Sequence, residues 1–529
     1  MFFIFKHKKK LLLSIAPIIY ILISIFMRTS LGPYWEGNNS DPEYVYLFSS
    51  LNMLHLNSPS HHDHPGTTLQ VWGALVILFK YLYLLLFNHG ESNLTLAVLK
   101  YPEEFLKAIN TSLIIITTFT LYFSGIVLTR FNNIKFALSF QFSIFLFPTI
   151  MMSFPRVTPE PLLVIFSIII ITLIEAIIHT QNSGDADKEK KLSRLVLATG
   201  IIAAAGLVTK VTFLPLLLLL TLIRPLKYFF KALLSMLAFV FIFTTPIMFK
   251  YANVTNWFKN IIIHKDLYGN GAIGLPTIKD LTLNLENIYI TDSLFLKLVL
   301  TLTIFTLVVK LLSKKILQLS TFENSLFFVG PVICLVQIAI TLKHPGMRYL
   351  LPSMIICGWM LSRISYKLHI ILLSSSYIFF LLINSNAIKK LIHNRNLTKT
   401  QLLEINALSE AYKDYRFIYT YRSSSKLFAL SYGNSFSGSH LSEQLTSIYT
   451  NTPLFNSAGG DEFYNFSGTS YNLSSSEQYI LQGSYLGPSD SHWLDLHAKY
   501  SKDFRIKFLR LIGGEYFFQI DSKLKSNFP

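Results

Sequence analysis

Charged side chains are few: 14% of the 529 residues, against about 25% in an average soluble domain. That shortage excludes an ordinary solvated globule of this size. Cysteine is nearly absent, with only Cys334 and Cys357, both inside apolar segments. Neither a disulfide framework nor a thiolate metal site follows from two such residues. Acids are scarcer than bases, 29 against 46, which leaves a net charge of +17. In a soluble chain that excess would suggest nucleic acid. Here the cations sit in short loops between apolar runs, where they orient a membrane protein and suit anionic headgroups, and no nucleic-acid partner is expected.

What is abundant is apolar: 51% of residues are hydrophobic and mean hydropathy is +0.45. The runs are long enough to face lipid rather than line one core. A basic cluster (Lys6, Lys8, Lys9, Lys10) precedes the first, 11–27. No small-x-small cleavage site appears before Arg28, so a retained signal anchor is expected rather than a removed signal peptide. Further candidate spans are 108–129, 136–152, 161–179, 195–209, 211–223, 228–249, 294–312, 325–342, 349–362 and 368–385. The run 70–87 is apolar too, but Lys80 interrupts it.

The basic loops Arg130–Lys135, Lys188–Arg194, Arg224–Lys231, Lys310–Lys315 and Arg363–Lys367 all reach the cytoplasmic side together only if 70–87 does not cross. That predicts an all-α membrane domain over 1–385 with about 11 spans. The loops 28–107 and 250–293, and the tail from 386, then lie outside. The tail, 386–529, is rich in Ser, Tyr, Asn and Gly. Alternating runs at Arg416–Tyr421 and Phe517-Phe518-Gln519-Ile520 predict strands, so the tail reads as an extracytoplasmic mixed α/β domain. The Lys, Ile and Asn richness hints at a bacterial inner membrane.

The loop 28–107 holds the first candidate chemistry. Asp41-Pro42-Glu43-Tyr44 follows Tyr34-Trp35-Glu36, and His61-His62-Asp63-His64-Pro65-Gly66 comes after. A carboxylate at a membrane surface can take a proton from an acceptor hydroxyl. The plainer reading is a solvated Asp-Pro turn. The His-rich run suits a metal ligand set by residue type, yet neighbours in an extended chain point to opposite faces, so a polar loop or substrate contact competes. Glu160, in Pro159-Glu160-Pro161, is a second acid, though a helix start would also favour a negative charge there. Lys210, after Thr209, and the stretch Lys343-His344-Pro345-Gly346-Met347-Arg348-Tyr349 put cations at membrane edges. Such cations can bind phosphate or merely snorkel.

In this order the pieces resemble the type C glycosyltransferase superfamily of integral-membrane enzymes, which includes protein O-mannosyltransferases and the lipid A aminoarabinose transferase. Asp41-Pro42-Glu43-Tyr44 is similar to the acidic motif of its first outer loop. His64-Pro65-Gly66 is similar to its His-Pro-Pro motif, 70–87 to its juxtamembrane stretch, and Glu160 to its second acid. Thr209-Lys210 resembles a Thr-Lys pair, and Arg348-Tyr349-Leu350-Leu351-Pro352 an Arg-Tyr-Leu-x-Pro motif. Departures are Gly66 for proline, the acids split by Pro42, and Glu in place of the commoner Asp at 160.

The resemblance implies inverting transfer of a monosaccharide from a polyprenyl-phosphate donor to a glycan, lipid or protein acceptor. Asp41 or Glu43 would be the base, and Glu160 would orient the acceptor. Arg348, with Lys210 or Lys343, would hold the leaving phosphate, and His64 and Tyr349 would contact substrate. No cofactor is required, and a divalent metal is left open. Rival readings are a polysaccharide polymerase or ligase using polyprenyl-linked sugars, and a transporter or flippase for a lipid-linked sugar. The transporter would need midplane charges and broken helices.

Overall fold

The computed structural model describes residues 2–36, 40–60, 66–87, 91–184, 186–266, 269, 271–311, 320–365, 393, 396–420, 423–450, 452–456, 462–474, 476–484 and 491–523. It divides into two compact units. One comprises Met1–Arg28, His62–Leu69 and Asn110–Lys389; the other comprises Thr29–His61, Gln70–Ile109 and Lys390–Pro529.

Helices α1 (Phe2–Ser30), α2 (Ser40–Leu54), α3 (Thr67–Leu86), α4 (Leu94–Lys100) and α5 (Pro102–Phe131) come first. Then follow α6 (Ile134–Ser143), α7 (Pro148–Ser153), α8 (Glu160–Gln181), α9 (Lys188–Thr209), α10 (Leu226–Thr244), α11 (Tyr251–Ile263), α12 (Ile278–Leu311), α13 (Thr321–Lys343) and α14 (Leu351–Ser365).

Among the described residues eight helices are long and apolar enough to cross a membrane: Lys8–Ser30, Thr67–Leu86, Pro102–Phe131, Glu160–Gln181, Lys188–Thr209, Leu226–Ile263, Ile278–Val308 and Thr321–Lys343. The protein is a polytopic helical membrane protein. The count of eleven is corrected: Thr67–Leu86, expected not to cross, is long and apolar enough to do so, three of the expected runs are broken, and a fourth lies outside the described residues. Run 136–152 divides at Pro148 into α6, a 3-10 turn and α7. Run 211–223 is a 3-10 helix, Val211–Leu222, with Pro215 inside. At about 2.0 Å per residue those 12 residues reach about 24 Å, where an α-helix would reach about 18 Å. Run 349–362 becomes the 3-10 turn Met347–Leu350 followed by the 15 residues of α14. Run 368–385 lies outside the described residues.

Local signals explain the helix starts. Pro159 and Pro161 bracket Glu160 at the first turn of α8, where a missing N–H costs nothing and an acid suits the dipole. Ser320 opens α13 with a capping box: its hydroxyl accepts from Glu323 N, and Glu323 accepts from Ser320 N at 2.9 Å. The stretch read as a turn at Asp41-Pro42 is instead the start of α2, with proline inside the first turn. In the first unit, α8, α9 and α10 pack successively against one another. The buried apolar residues of α8 and α14 supply much of that unit's core.

The second unit carries a six-stranded sheet of order β3-β2-β1-β4-β6-β5. Its strands are β1 (Arg416–Tyr419), β2 (Leu454–Asn456), β3 (Glu462–Tyr464), β4 (Tyr479–Gly483), β5 (Phe504–Ile512) and β6 (Glu515–Ser522). β1 runs parallel to β2 and β4, and the other pairs are antiparallel. β5 and β6 meet through Gly513 and Gly514, both with positive φ, which a two-residue hairpin turn of the favoured twist requires. Helix α15 (over 396–411), α16 (Lys426–Phe436), α17 (Ser442–Ile448) and α18 (Ser491–Tyr500) accompany the sheet. Ile418, Leu481, Phe518 and Leu496 form the core on one face; Ile405, Leu408, Ile480 and Phe517 form that on the other. The predicted strands at 416 and 517 are β1 and β6.

The second unit also buries part of the early chain. Tyr44 and Phe48 of α2 are fully buried, and Gly433 of α16 lies directly on them. Asn52 donates to the Ser437 carbonyl at 2.8 Å, and Tyr449 to the Leu99 carbonyl at 3.0 Å.

Candidate functional site

A buried ion pair of the first unit forms where three chain breaks coincide. Glu160 opens α8. Lys210 caps the end of α9 with an extended backbone, φ −163° and ψ 134°, before the 3-10 helix begins. Arg348 and Tyr349 lie in the 3-10 turn that precedes α14. Each break frees a side chain from the regular helix surface and aims it at the others.

The Lys210 ammonium donates to Glu160 Oε1 at 2.7 Å. Both side chains are buried, at 6% and 1% exposure. The same ammonium stands 5.1 Å from the centre of the Tyr349 ring, within the range of a cation–π contact. Arg348 is a second cation within electrostatic reach of Glu160. It is itself exposed, and its guanidinium makes no hydrogen bond with a described residue. Glu160 Oε2 is buried and takes no hydrogen bond of ordinary geometry among the described residues, with the Thr158 hydroxyl beside the carboxylate as a donor. An incoming hydroxyl could therefore donate to that carboxylate without displacing Lys210.

The segment 66–69 closes against the same junction. Gly66 N–H donates to the Val208 carbonyl at 3.1 Å. The Thr68 and Thr209 hydroxyls are 2.6 Å apart, and the Thr67 hydroxyl donates to the Phe243 carbonyl at 2.9 Å. The end of the His64-Pro65-Gly66 motif and the Thr209-Lys210 pair are thus neighbours. Helix α8 has 22 residues, about 33 Å at 1.5 Å each, close to the thickness of a bilayer core. Glu160, at its first residue, stands at one membrane face.

Lys343 is engaged elsewhere in the first unit. It donates to the Ile261 and Ile262 carbonyls at 3.0 and 2.6 Å, capping the C-terminus of α11. Its neighbour His344 bridges the Asp266 and Ile261 carbonyls at 2.6 and 3.0 Å. Glu43 is buried in α2, within the second unit. The side chain of Asp41 and the whole of His64 lie outside the described residues.

Among the described residues no group of three His, Cys, Asp or Glu could hold a metal ion. Glu160 in particular does not fit a divalent cation. It is one carboxylate already bonded to an ammonium, with a guanidinium in range.

Two acids escaped the sequence reading. Asp292 is 1% exposed and sits at a break in α12, with φ −136° and ψ 54°; it accepts a hydrogen bond from Thr149. The run 250–293 reads as loop because Asp280 and Glu286 interrupt it, yet the helix starts at Ile278. Glu175, an isolated acid inside the run 161–179, was the clearer signal. It accepts from Trp359 Nε1 at 2.6 Å and Arg363 Nε at 3.0 Å, and Arg363 Nη2 closes a second bond.

No protein family, curated protein or solved structure matches the chain.

Proposed function

We propose that the protein is a membrane glycosyltransferase of the type C kind, moving a monosaccharide from a polyprenyl phosphate to an acceptor hydroxyl. The carrying observation is the buried Glu160–Lys210 pair with Tyr349 and Arg348 beside it. It supports the reading because it joins three of the motifs on which the resemblance rests, at one membrane face.

In this scheme Asp41 takes the proton of the attacking acceptor hydroxyl, while Glu160 orients the acceptor by accepting from another of its hydroxyls. The new bond forms between acceptor oxygen and the sugar's anomeric carbon. The bond from that carbon to the phosphate oxygen breaks, and the polyprenyl phosphate departs with the electron pair. Arg348 meets the growing negative charge with paired hydrogen bonds. Lys210 holds Glu160 in place through their ion pair, and Tyr349 flanks the sugar. The lipid tail stays among the helices, so the donor never leaves the bilayer. Positive-inside counting of the basic loops puts this face outside the cell. A bacterial inner membrane suits the composition, and the acceptor is an envelope glycan, lipid or protein.

One observation favours a second reading, a carrier for a lipid-linked sugar: a broken helix with a buried acid at the break, as at Asp292 in α12, is what a transporter would use.

The test is a transfer assay with membranes containing the protein, radiolabelled polyprenyl-phosphate sugars and envelope extract. Wild type should transfer label. Asp41→Asn should lose about a hundredfold or more, the scale of a general base, and Glu160→Gln should fall with it at equal protein level. Undiminished transfer by both variants would remove the assignment. Transbilayer movement of labelled lipid, lost in Asp292→Asn and without any transfer, would establish the carrier instead.

A further inference from the structure

A groove in the first unit opens between α5, α8 and α9, with a cavity volume of about 540 Å³. Its walls are Ile116, Phe119, Phe123, Ile169, Leu173 and Leu195. Two hydroxyls among its lining residues are turned back on their own helices: Ser124 donates to the Leu121 carbonyl at 3.0 Å and Thr172 to the Ile168 carbonyl at 2.8 Å. Thr120 adds a third hydroxyl, and the rest of the wall between the charged end and Ile116 is apolar. Phe119 and Phe123, 55% and 57% exposed, leave it open sideways to lipid.

Only one end is charged. Arg130, in the last turn of α5, and Lys191, in the first turn of α9, both line the groove there. Both are exposed, no carboxylate lines the groove, and among the described residues neither cation is paired with an acid. From Ile116 to Arg130 the helix rises about 21 Å, somewhat more than half of a 30 Å hydrocarbon core. The groove therefore matches one leaflet, with its cations at headgroup level. A cation early in a helix is disfavoured by the dipole, so helix stability does not account for Lys191.

We propose that this groove is a binding site for an anionic glycerophospholipid. Its phosphate lies between Arg130 and Lys191, and one acyl chain fills the apolar wall between α5 and α8. The site is independent of the glycosyl-transfer reading, since at the level of Ala176 it lies about 24 Å along α8 from Glu160.

The protein, purified in mild detergent, is offered equal amounts of phosphatidylglycerol and phosphatidylcholine with identical chains. Retained lipid is then counted by native mass spectrometry. Wild type should keep the anionic lipid about tenfold or more over the zwitterionic one, as expected for two cations near a headgroup. Arg130→Gln with Lys191→Gln should lose that preference while still binding either lipid weakly. Thr120→Trp, which fills the groove and leaves both cations, should lose both lipids. Lys190→Gln with Arg194→Gln, cations of the same end of α9 that do not line the groove, should keep the preference. Equal retention of the two lipids by wild type would overturn the proposal. So would a preference that survives the Arg130/Lys191 pair, or one abolished equally by the Lys190/Arg194 pair.

Discussion

Glu175 draws donors from three residues into a buried knot: Trp359, Nε and Nη2 of Arg363, and Asn132 at 3.3 Å. Arg363 is further held over the rings of Phe136 and Phe322, 4.9 and 5.3 Å from their centres. Removing one partner of such a pair strands the other charge, at a cost of about 3–5 kcal/mol. Arg363→Leu should therefore lower thermal stability in detergent by that scale, and Glu175→Gln added to it should recover most of the loss. Independent losses in the double variant would show that the pair is not coupled. A second residue-scale prediction concerns Glu515, which accepts from Gln482 and from Ser424 N at 2.7 and 2.9 Å. Burial outweighs these bonds and raises its carboxyl above the ordinary value near 4.5. The folded state then holds the proton more tightly than the unfolded one. Stability is greatest below the ordinary value and falls as pH rises through the raised one, by at most about 1.4 kcal/mol per pH unit. Trp493, stacked on Phe518 at 3.9 Å, is placed to report unfolding by fluorescence. Glu515→Gln should flatten that part of the pH profile, and an unchanged slope would assign it to another group.

At the scale of elements, α2 and α16 meet backbone to backbone. A Cβ on Gly433 would stand 2.9 Å from the Tyr44 carbonyl oxygen, the Tyr44 Cβ and the Phe48 ring, with no flexible side-chain end to move aside. Gly433→Ala should separate the helices and cost about 1–3 kcal/mol, read as a lower unfolding midpoint of the sheet domain; an unchanged midpoint would mean the contact is loose. Legibility also varied by element. The long apolar runs and the alternating strands β1 and β6 could be read because one period repeats over many residues. Helix α2 could not, since Ser40–Leu54 mixes polar and apolar residues without a clean stripe, and its start signal, Asp41-Pro42, equally opens a turn. The 3-10 segment Val211–Leu222 was legible as apolar but not as 3-10, because Leu repeats carry no phase. In the candidate site, Glu160, Lys210, Arg348 and Tyr349 were each visible as charges or rings at run ends. Their convergence was not, because it depends on three backbone breaks in distant elements.

At the scale of the molecule, the sequence suggests a cut near residue 386, but the compact units do not follow the chain. The second unit gathers Thr29–His61 and Gln70–Ile109 with the tail, so the sheet domain borrows cover for α16 and α17 from segments more than 300 residues earlier. Tyr44 and Phe48 lie on α16, Asn52 holds the Ser437 carbonyl, and Lys426 donates to the Lys100 carbonyl at 2.6 Å. The two sheet cores are complete within the tail, whereas the α16 surface is not. A fragment of residues 390–529 made alone should therefore form its sheet, seen by far-ultraviolet dichroism, yet expose an apolar helix face and self-associate. Adding a peptide of residues 40–54 should reduce that association, and Gly433→Ala in the fragment should weaken the rescue. A fragment that stays monomeric without the peptide would show that the tail is autonomous. Dependence on α2 would instead make the early segment a built-in part of the sheet domain. A substitution on the buried face of α2 would then reach the sheet directly, through packing, without passing through the helices of the first unit.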